Sequence, residues 1–210
     1  MKHIEEKLNV ITADDHSIIT KSMALIIGEL YEGAVVHQLT TIAEVVEVLE
    51  STAVDLLVLD ISFPDENPLN TLPLLRKKYP GLKILIFSGH EEEHYALRCI
   101  NSGANGYLSK LSTEEEIQSA IREVMDSGKF VSKNIQDKIL KNYFSKKPIN
   151  PMDRLTNREF EIAKLLACGY GNTEISNRLN LKGSTVSTYR NRVFEKLEID
   201  SIADLIQILD

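Results

Sequence analysis

Four short apolar runs, each leading into a charged residue or a hydroxyl, constrain this 210-residue chain more than any other feature. Leu8-Asn9-Val10-Ile11-Thr12-Ala13 leads into Asp14 and Asp15, and Leu56-Leu57-Val58-Leu59 leads into Asp60. Ile84-Leu85-Ile86-Phe87 leads into Ser88, and Gly106-Tyr107-Leu108-Ser109 into Lys110. Runs of this length and composition suit buried parallel strands, which are covered on both faces and need not alternate apolar with polar residues. In an open α/β sheet the carboxyl ends of the strands share one edge, where ligands bind. Three acids, a hydroxyl and a lysine are therefore expected at one site. Such a set can hold Mg²⁺, accept a phosphoryl group on a carboxylate and offset the resulting charge.

Up to about residue 128 strand and helix patterns alternate. Strands are expected near 9–13, 35–39, 55–59, 84–87 and 106–109. Helices are expected near 17–30, 41–51, 69–78, 91–102 and 113–127. Thr113 followed by Glu116 is a capping-box signal, and Gly128 is placed to end the helix that follows. This alternation predicts an α/β fold, a five-stranded doubly wound parallel sheet, with a second, smaller all-α domain beyond it. Residues 1–130 form the first domain in this reading, 131–152 a linker with a helix, and 153–210 the second domain.

Within the linker, Lys133 to Phe144 fits an amphipathic helix with Ile135, Ile139, Leu140 and Tyr143 on one side. Ser145-Lys146-Lys147-Pro148-Ile149-Asn150-Pro151 reads as extended, because proline restricts its own backbone and that of the residue before it. Beyond it, Thr156 and Glu159 give a second capping box, and Phe160, Ala163, Leu166 and Ala167 line one helix face that Gly169 ends. A short helix from Thr173 to Leu179, the turn Asn180-Leu181-Lys182-Gly183 and a longer helix capped by Ser184 and reaching Leu197 fit a helix-turn-helix.

On that longer helix Val186, Val193 and Leu197 share a core stripe, while Ser187, Thr188 and Asn191 face away from it. Short polar side chains on an exposed helix suit base edges in a major groove. Arg178, Lys182, Arg190, Arg192 and Lys196 surround them with charge suited to phosphates. Composition alone allows a solvated helix in a small bundle equally well. Charge separates the two parts: residues 1–130 hold 11 Lys/Arg against 21 Asp/Glu, and residues 131–210 hold 13 against 10. Only the second part suits a polyanion.

No stretch approaches the roughly 20 apolar residues of a membrane span. The charged start Met1-Lys2-His3-Ile4-Glu5-Glu6 lacks the apolar core of a signal peptide. Cys99 and Cys168 are far apart and have no metal-ligand spacing, so two free thiols in a reducing cytoplasm are expected.

Both parts are similar to known families. The first resembles the receiver domain of bacterial two-component response regulators, a flavodoxin-like fold. The residues that carry this are Asp14-Asp15-His16, Asp60 with Pro64, Ser88-Gly89, and Ser102-Gly103-Ala104-Asn105-Gly106-Tyr107-Leu108-Ser109-Lys110. The second resembles the LuxR-type helix-turn-helix through Leu155-Thr156-Asn157-Arg158-Glu159, Gly169, Asn172-Thr173-Glu174-Ile175, Thr185-Val186 and Lys196-Leu197. Their order and linker are similar to those of the NarL/FixJ family.

This resemblance implies that Asp60 is the phosphoacceptor. It implies that Asp15 binds Mg²⁺ directly with Asp60 and the backbone carbonyl of Ser62, and that Asp14 acts through a metal-bound water. Lys110 would pair with the phosphoryl oxygens, Ser88 would turn its hydroxyl to the phosphate, and Tyr107 would change rotamer in response. Ser187, Thr188 and Asn191 fall on base-reading positions, and Asn172, Thr185, Arg192 and Lys196 on positions for phosphate or supporting contacts. Ile202, Leu205 and Ile206 fall on the pairing surface, with simple core packing as the competing reading.

The implied function is a transcriptional regulator controlled by phosphorylation, in the cytoplasm, and not an enzyme. Its implied partners are a histidine kinase, double-stranded promoter DNA, RNA polymerase, and a second copy of itself at least when phosphorylated, with a dimer present at all times and only reoriented by phosphate as the competing reading. The chain departs from the family pattern at Phe63 and Pro68 beside the phosphoacceptor loop, at Leu111 after Lys110, and at Ser187, Tyr189 and Arg190 in the recognition helix. Arg190 lies near the buried face, so its stem has to snorkel. A phosphatase of the haloacid-dehalogenase type needs an acid two residues after its nucleophile, and that position is Ser62. A receiver acting without phosphorylation is opposed by the full set Asp14, Asp15, Asp60, Ser88 and Lys110.

Overall fold

The structure, a computed structural model, describes residues 7–63, 68–145 and 150–209, with side chains except at 142–145. The expected features at Met1–Glu6, Pro64, residues 146–149 and the side chains of Tyr143 and Phe144 lie outside the described residues. The chain divides into two compact units, Met1–Gln136 and Asp137–Asp210. The division falls inside the stretch 131–152 expected as a linker.

In the first unit five strands alternate with five helices. The strands are β1 (Asn9–Ala13), β2 (Val35–Leu39), β3 (Leu56–Leu59), β4 (Lys83–Ser88) and β5 (Gly106–Ser109). The helices are α1 (Ser17–Leu30), α2 (Ile42–Ser51), α3 (Pro68–Lys78), α4 (Glu92–Asn101) and α5 (Glu114–Ser127). All strand pairs are parallel, in the order β2-β1-β3-β4-β5. The apolar runs of β1, β3, β4 and β5 are buried on both faces, whereas β2 at the edge is half exposed. Val10, Leu56, Val58, Leu85, Phe87 and Leu108 form one core with Met23 and Ile27 of α1 and with Ile117, Ala120, Ile121 and Val124 of α5. The alternate strand positions Ile11, Leu57, Leu59, Ile84 and Ile86 are fully buried as well.

Local chemistry sets the element ends. Thr113 and Glu116 close the expected capping box at α5, and Gly128 ends that helix in the left-handed region at φ 78°. Thr41 and Glu44 form a second capping box at α2. Gly106 opens β5 against the backbone of Phe130, where an added Cβ would lie 2.8 Å from the Phe130 carbonyl oxygen. No larger residue fits there without moving one of the two segments.

Helix α6 spans Lys133–Ser145. Ile135 is buried, but Ile139 and Leu140 are 40% and 54% exposed, so the apolar side expected there is only partly covered.

In the second unit Asn150 caps a short 3-10 turn, Pro151–Arg154, by accepting from the backbone N–H of Met152. Helices α7 (Asn157–Ala167), α8 (Asn172–Arg178), α9 (Gly183–Leu197) and α10 (Ile202–Leu209) follow. Met152, Leu155, Phe160, Ala163, Leu166, Ile175, Val186, Val193, Leu197 and Leu205 are its core. The α8–α9 turn carries Asn180 at φ 50°, a conformation that asparagine tolerates better than most residues. One expectation is corrected. The N-cap of α9 is Lys182, with no side-chain cap, and Ser184 lies inside the helix. Among the described residues no helix is long and apolar enough to cross a membrane.

Candidate functional site

The strand order reverses between β1 and β3, and an open parallel sheet leaves a crevice at the carboxyl ends of such a pair. Ala13 is in register with Leu59, so the next residues, Asp14 and Asp60, sit side by side. The Asp60 N–H donates to the Ala13 carbonyl at 2.9 Å and fixes the pair. At the other end, Ser88 pairs with Ser109, and the Lys110 N–H donates to the Ser88 carbonyl at 2.8 Å. From there the Lys110 side chain reaches back past β4. Its Nζ lies 2.9 Å from Asp60 Oδ2 and 2.6 Å from Asp14 Oδ2.

Both carboxylates are almost fully buried, Asp14 at 3% and Asp60 at 2% exposure. Asp60 Oδ1 accepts from the Ile61 N–H at 2.7 Å, and Asp14 Oδ1 accepts from the His16 N–H at 2.9 Å. Asp14 Oδ2 accepts no well-aligned hydrogen bond, and its close neighbour is the Lys110 ammonium. Burial works to lower the Lys110 pKa, but the two carboxylates outweigh it and hold the group above its ordinary value. Lys110 is thus an ammonium at neutral pH, shared between two acids.

Asp15 is more open and pairs with His16, whose Nδ1 is 2.7 Å from Asp15 Oδ1. Ligand atoms of Asp14, Asp15 and His16 lie within 4.8 Å of one another, so this corner is able to hold a metal ion. The motif Asp14-Asp15-His16 is visible in the sequence. The imidazole as an additional donor is visible only once the turn after β1 brings the three together.

Ser88 and Tyr107 meet at a residue that sequence reasoning missed. Ser88 is fully buried, and its Oγ accepts from the His90 N–H at 3.3 Å. Tyr107 is also buried, and its hydroxyl donates to the His90 carbonyl at 2.7 Å. Burial pushes the Tyr107 phenol well up, so it remains a donor. Ser62, on the loop after β3, places its Oγ 3.0 Å from His90 Nε2. The His90 ring stacks on Tyr95 of α4 at 4.5 Å and 12°.

In the second unit, the residues expected to read bases lie along α9, but not equivalently. Thr188, Asn191 and Arg192 differ from Ser187 in surroundings, and Asn191 is exposed. Ser187 is half buried, accepts from Asn172 Nδ2 at 3.2 Å and donates to the Gly183 carbonyl at 3.1 Å. Thr188 donates to the Ser184 carbonyl at 3.0 Å. Arg190 extends its guanidinium to 5.3 Å from the Phe194 ring centre, which is how its stem leaves the core side.

Lys196 pairs at 2.7 Å with Glu159, a nearly buried acid at the start of α7. Burial works to raise the Glu159 carboxyl, yet Lys196 and the hydrogen bonds from Thr156 together hold it below the ordinary range. On α10, Leu205 is fully buried, Ile202 is half buried and Ile206 is 39% exposed. Leu205 is a core residue, and of the three Ile206 is the most open.

A family model described as the response regulator receiver domain matches residues 10–122. The chain belongs to the response regulator family. A second model, bacterial regulatory proteins of the luxR family, matches residues 153–209 of this response regulator. Response regulator GacA of Pseudomonas aeruginosa is 29% identical to it over 199 residues, covering 94% of this chain and 93% of that one. Response regulator UvrY of Escherichia coli is 29% identical over 202 residues, covering 96% and 93%. Among solved structures, RcsB of Salmonella enterica bound to promoter rprA with the phosphomimetic BeF3 shares the fold. Its TM-score is 0.72 at 20% identity, with 97% of this chain and 98% of that one covered.

Proposed function

We propose that Asp60 of this response regulator accepts a phosphoryl group from a histidine kinase, and that the phosphorylated protein binds promoter DNA as a dimer through α9. The observation that carries the first part is the buried Asp60 carboxylate, held at 2.9 Å by Lys110 at the reversal point of the sheet. In the transfer an Asp60 oxygen forms a bond to phosphorus while the P–N bond of a phosphohistidine breaks. The imidazole leaves with the electron pair and takes up a proton from solvent. Lys110 then meets the new phosphoryl oxygens, and the Ser88 hydroxyl donates to one of them.

The donor set fits Mg²⁺, because Asp14, Asp15, Asp60 and the Ser62 carbonyl offer only oxygen and Asp14 Oδ2 accepts no aligned hydrogen bond. When bound, Mg²⁺ would offset the charge that builds on the transferring group. Asp15 and Asp60 would hold it with the Ser62 carbonyl, and Asp14 through water. The chain contributes the nucleophile, its alignment by the Ile61 N–H and a neutralising ammonium.

For the output half, Thr188 and the exposed Asn191 on α9, flanked by Lys182 and Arg192, suit base edges and phosphates in a major groove. Asn172, Ser187 and Thr185 support that surface, Lys196 serves phosphate through its partly exposed ammonium, and Ile202 and Ile206 of α10 serve pairing, seated by the buried Leu205. Intact-mass measurement after acetyl phosphate and Mg²⁺ tests the proposal. It predicts one added phosphoryl group that Asp60→Ala abolishes.

A further inference from the structure

His16 touches both of the acids that precede it. Its backbone N–H donates to Asp14 Oδ1 at 2.9 Å. Its ring Nδ1 lies 2.7 Å from Asp15 Oδ1 and 3.3 Å from Asp14 Oδ1. Lys110 holds the other Asp14 oxygen, Oδ2, at 2.6 Å. One nitrogen and two carboxylate oxygens therefore converge at the Asp14 oxygen that Lys110 leaves open. The His16 side chain is 69% exposed and that of Asp15 24%, so solvent ions reach this corner. Asp14 is its buried wall at 3% exposure, with Oδ2 accepting no aligned hydrogen bond.

We propose that Asp14, Asp15 and His16 form a site for a transition-metal dication of the Zn²⁺ class, with donors that differ from the all-oxygen Mg²⁺ set. The inference goes beyond phosphoryl transfer, and only its effect on labelling rests on the phosphoacceptor reading. Zn²⁺ binds imidazole nitrogen and carboxylate oxygen at about 2.0–2.2 Å, which sets tetrahedral ligand atoms roughly 3.3 Å apart. The spacings of 2.7 and 3.3 Å from Nδ1 reach that value with small turns of His16 and Asp15. Mg²⁺ gains nothing from the nitrogen, because it prefers oxygen, whereas imidazole favours Zn²⁺. Charge points the same way. Asp14 and Asp60 share the Lys110 ammonium, and among the described residues the ion-pair partner of Asp15 is the His16 imidazole. A dication at Nδ1 neutralises Asp14 and Asp15 together. It also occupies Asp15, which serves the Mg²⁺ set, so bound Zn²⁺ slows phosphoryl uptake at Asp60.

The test measures Zn²⁺ affinity of the full chain by competition with a chromophoric chelator, for wild type, His16→Asn and Asp15→Asn. His16 is the N-cap of α1, where asparagine is favoured, and asparagine keeps a donor for Asp15. His16→Asn thus removes the metal-binding nitrogen and keeps the fold. Both variants should bind Zn²⁺ at least about 10-fold more weakly, since losses of that size follow even when a group that only orients a ligand is removed. Wild-type affinity in either folded variant overturns the site, because the ion is then held elsewhere. Labelling by acetyl phosphate and Mg²⁺ is followed by intact mass with and without equimolar Zn²⁺. The ion should slow wild type several-fold, and it should leave His16→Asn at its own zinc-free rate. Zn²⁺ bound through His16 with undiminished labelling overturns the shared use of Asp15. Absence of label in zinc-free wild type overturns the phosphoacceptor reading, and the chelator competition still decides the site.

Discussion

Lys110 Nζ lies 2.9 Å from Asp60 Oδ2, an ion pair that runs from the end of β5 past β4 to the end of β3. The same ammonium is 2.6 Å from Asp14, so a single side chain neutralises carboxylates from two neighbouring strands. Two buried acids this close repel each other unless a cation stands between them.

Lys110→Ala should therefore destabilise the first unit by about 3–5 kcal/mol, the usual cost of leaving buried charge uncompensated. Added Mg²⁺ should recover more stability in the variant than in wild type, because the metal then replaces the missing cation. Thermal unfolding with and without Mg²⁺, or with chelator, measures both effects. Equal melting temperatures for variant and wild type would contradict the role given to this pair.

The second unit should show an acid-sensitive contribution from Glu159. Its folded pKa is depressed, so the contribution is complete above the unfolded value of about 4.3 and disappears as pH falls through the lower folded value. Glu159→Gln should flatten the melting temperature over that acidic interval. Lys196→Ala should cost about 1.5–3 kcal/mol, as for hydrogen bonds to charged groups, even without DNA. An unchanged melting temperature in Lys196→Ala would mean that the pair carries no folding energy and that Lys196 serves DNA alone.

On DNA, Asn191→Ala should relax sequence preference at one position, by about 1–3 kcal/mol for a bidentate base contact. Arg192→Ala should weaken matched and scrambled sites alike. It should also reduce the salt slope by about 0.9, the value for one phosphate that is no longer neutralised. Titrations on both sites at several salt concentrations separate these effects. Unchanged discrimination in Asn191→Ala rules out base reading by that residue.

The sheet was legible because the runs of β1, β3, β4 and β5 are mostly apolar and buried, and parallel strands covered on both faces leave that signature. The residues leading out of those runs then placed Asp14, Asp60, Ser88 and Lys110 at one edge. The start of α9 was misread because Ser184 has the chemistry of a cap, while the backbone leaves the extended region at Lys182 instead. Here the turn geometry decides where the helix begins. The apolar side of α6 was legible as a pattern, but periodicity does not say whether a face is covered. Ile139 and Leu140 are exposed.

The contacts that were hidden are those between distant loops and helices. His90 is 28 residues from Ser62, and Lys196 is 37 from Glu159. Nothing in local composition distinguishes either pair. A basic residue on a recognition helix reads as a phosphate contact whether or not a buried acid stands behind it. His90, following Ser88-Gly89, reads as an ordinary loop residue until the strands fix the loops around it.

The most direct test of the account is DNA affinity measured together with molar mass by light scattering, for wild type and Asp60→Ala, each with and without acetyl phosphate and Mg²⁺. Phosphorylation brings roughly −1.5 to −2 charges to the edge of the sheet. A dimer would hold its second output domain beside the second half-site, raising affinity through effective concentration. Wild type should therefore gain mass and affinity on labelling, with a preference for inverted half-sites about one helical turn apart, while Asp60→Ala stays unchanged. Identical mass and identical affinity in labelled and unlabelled wild type would contradict control of the output by Asp60.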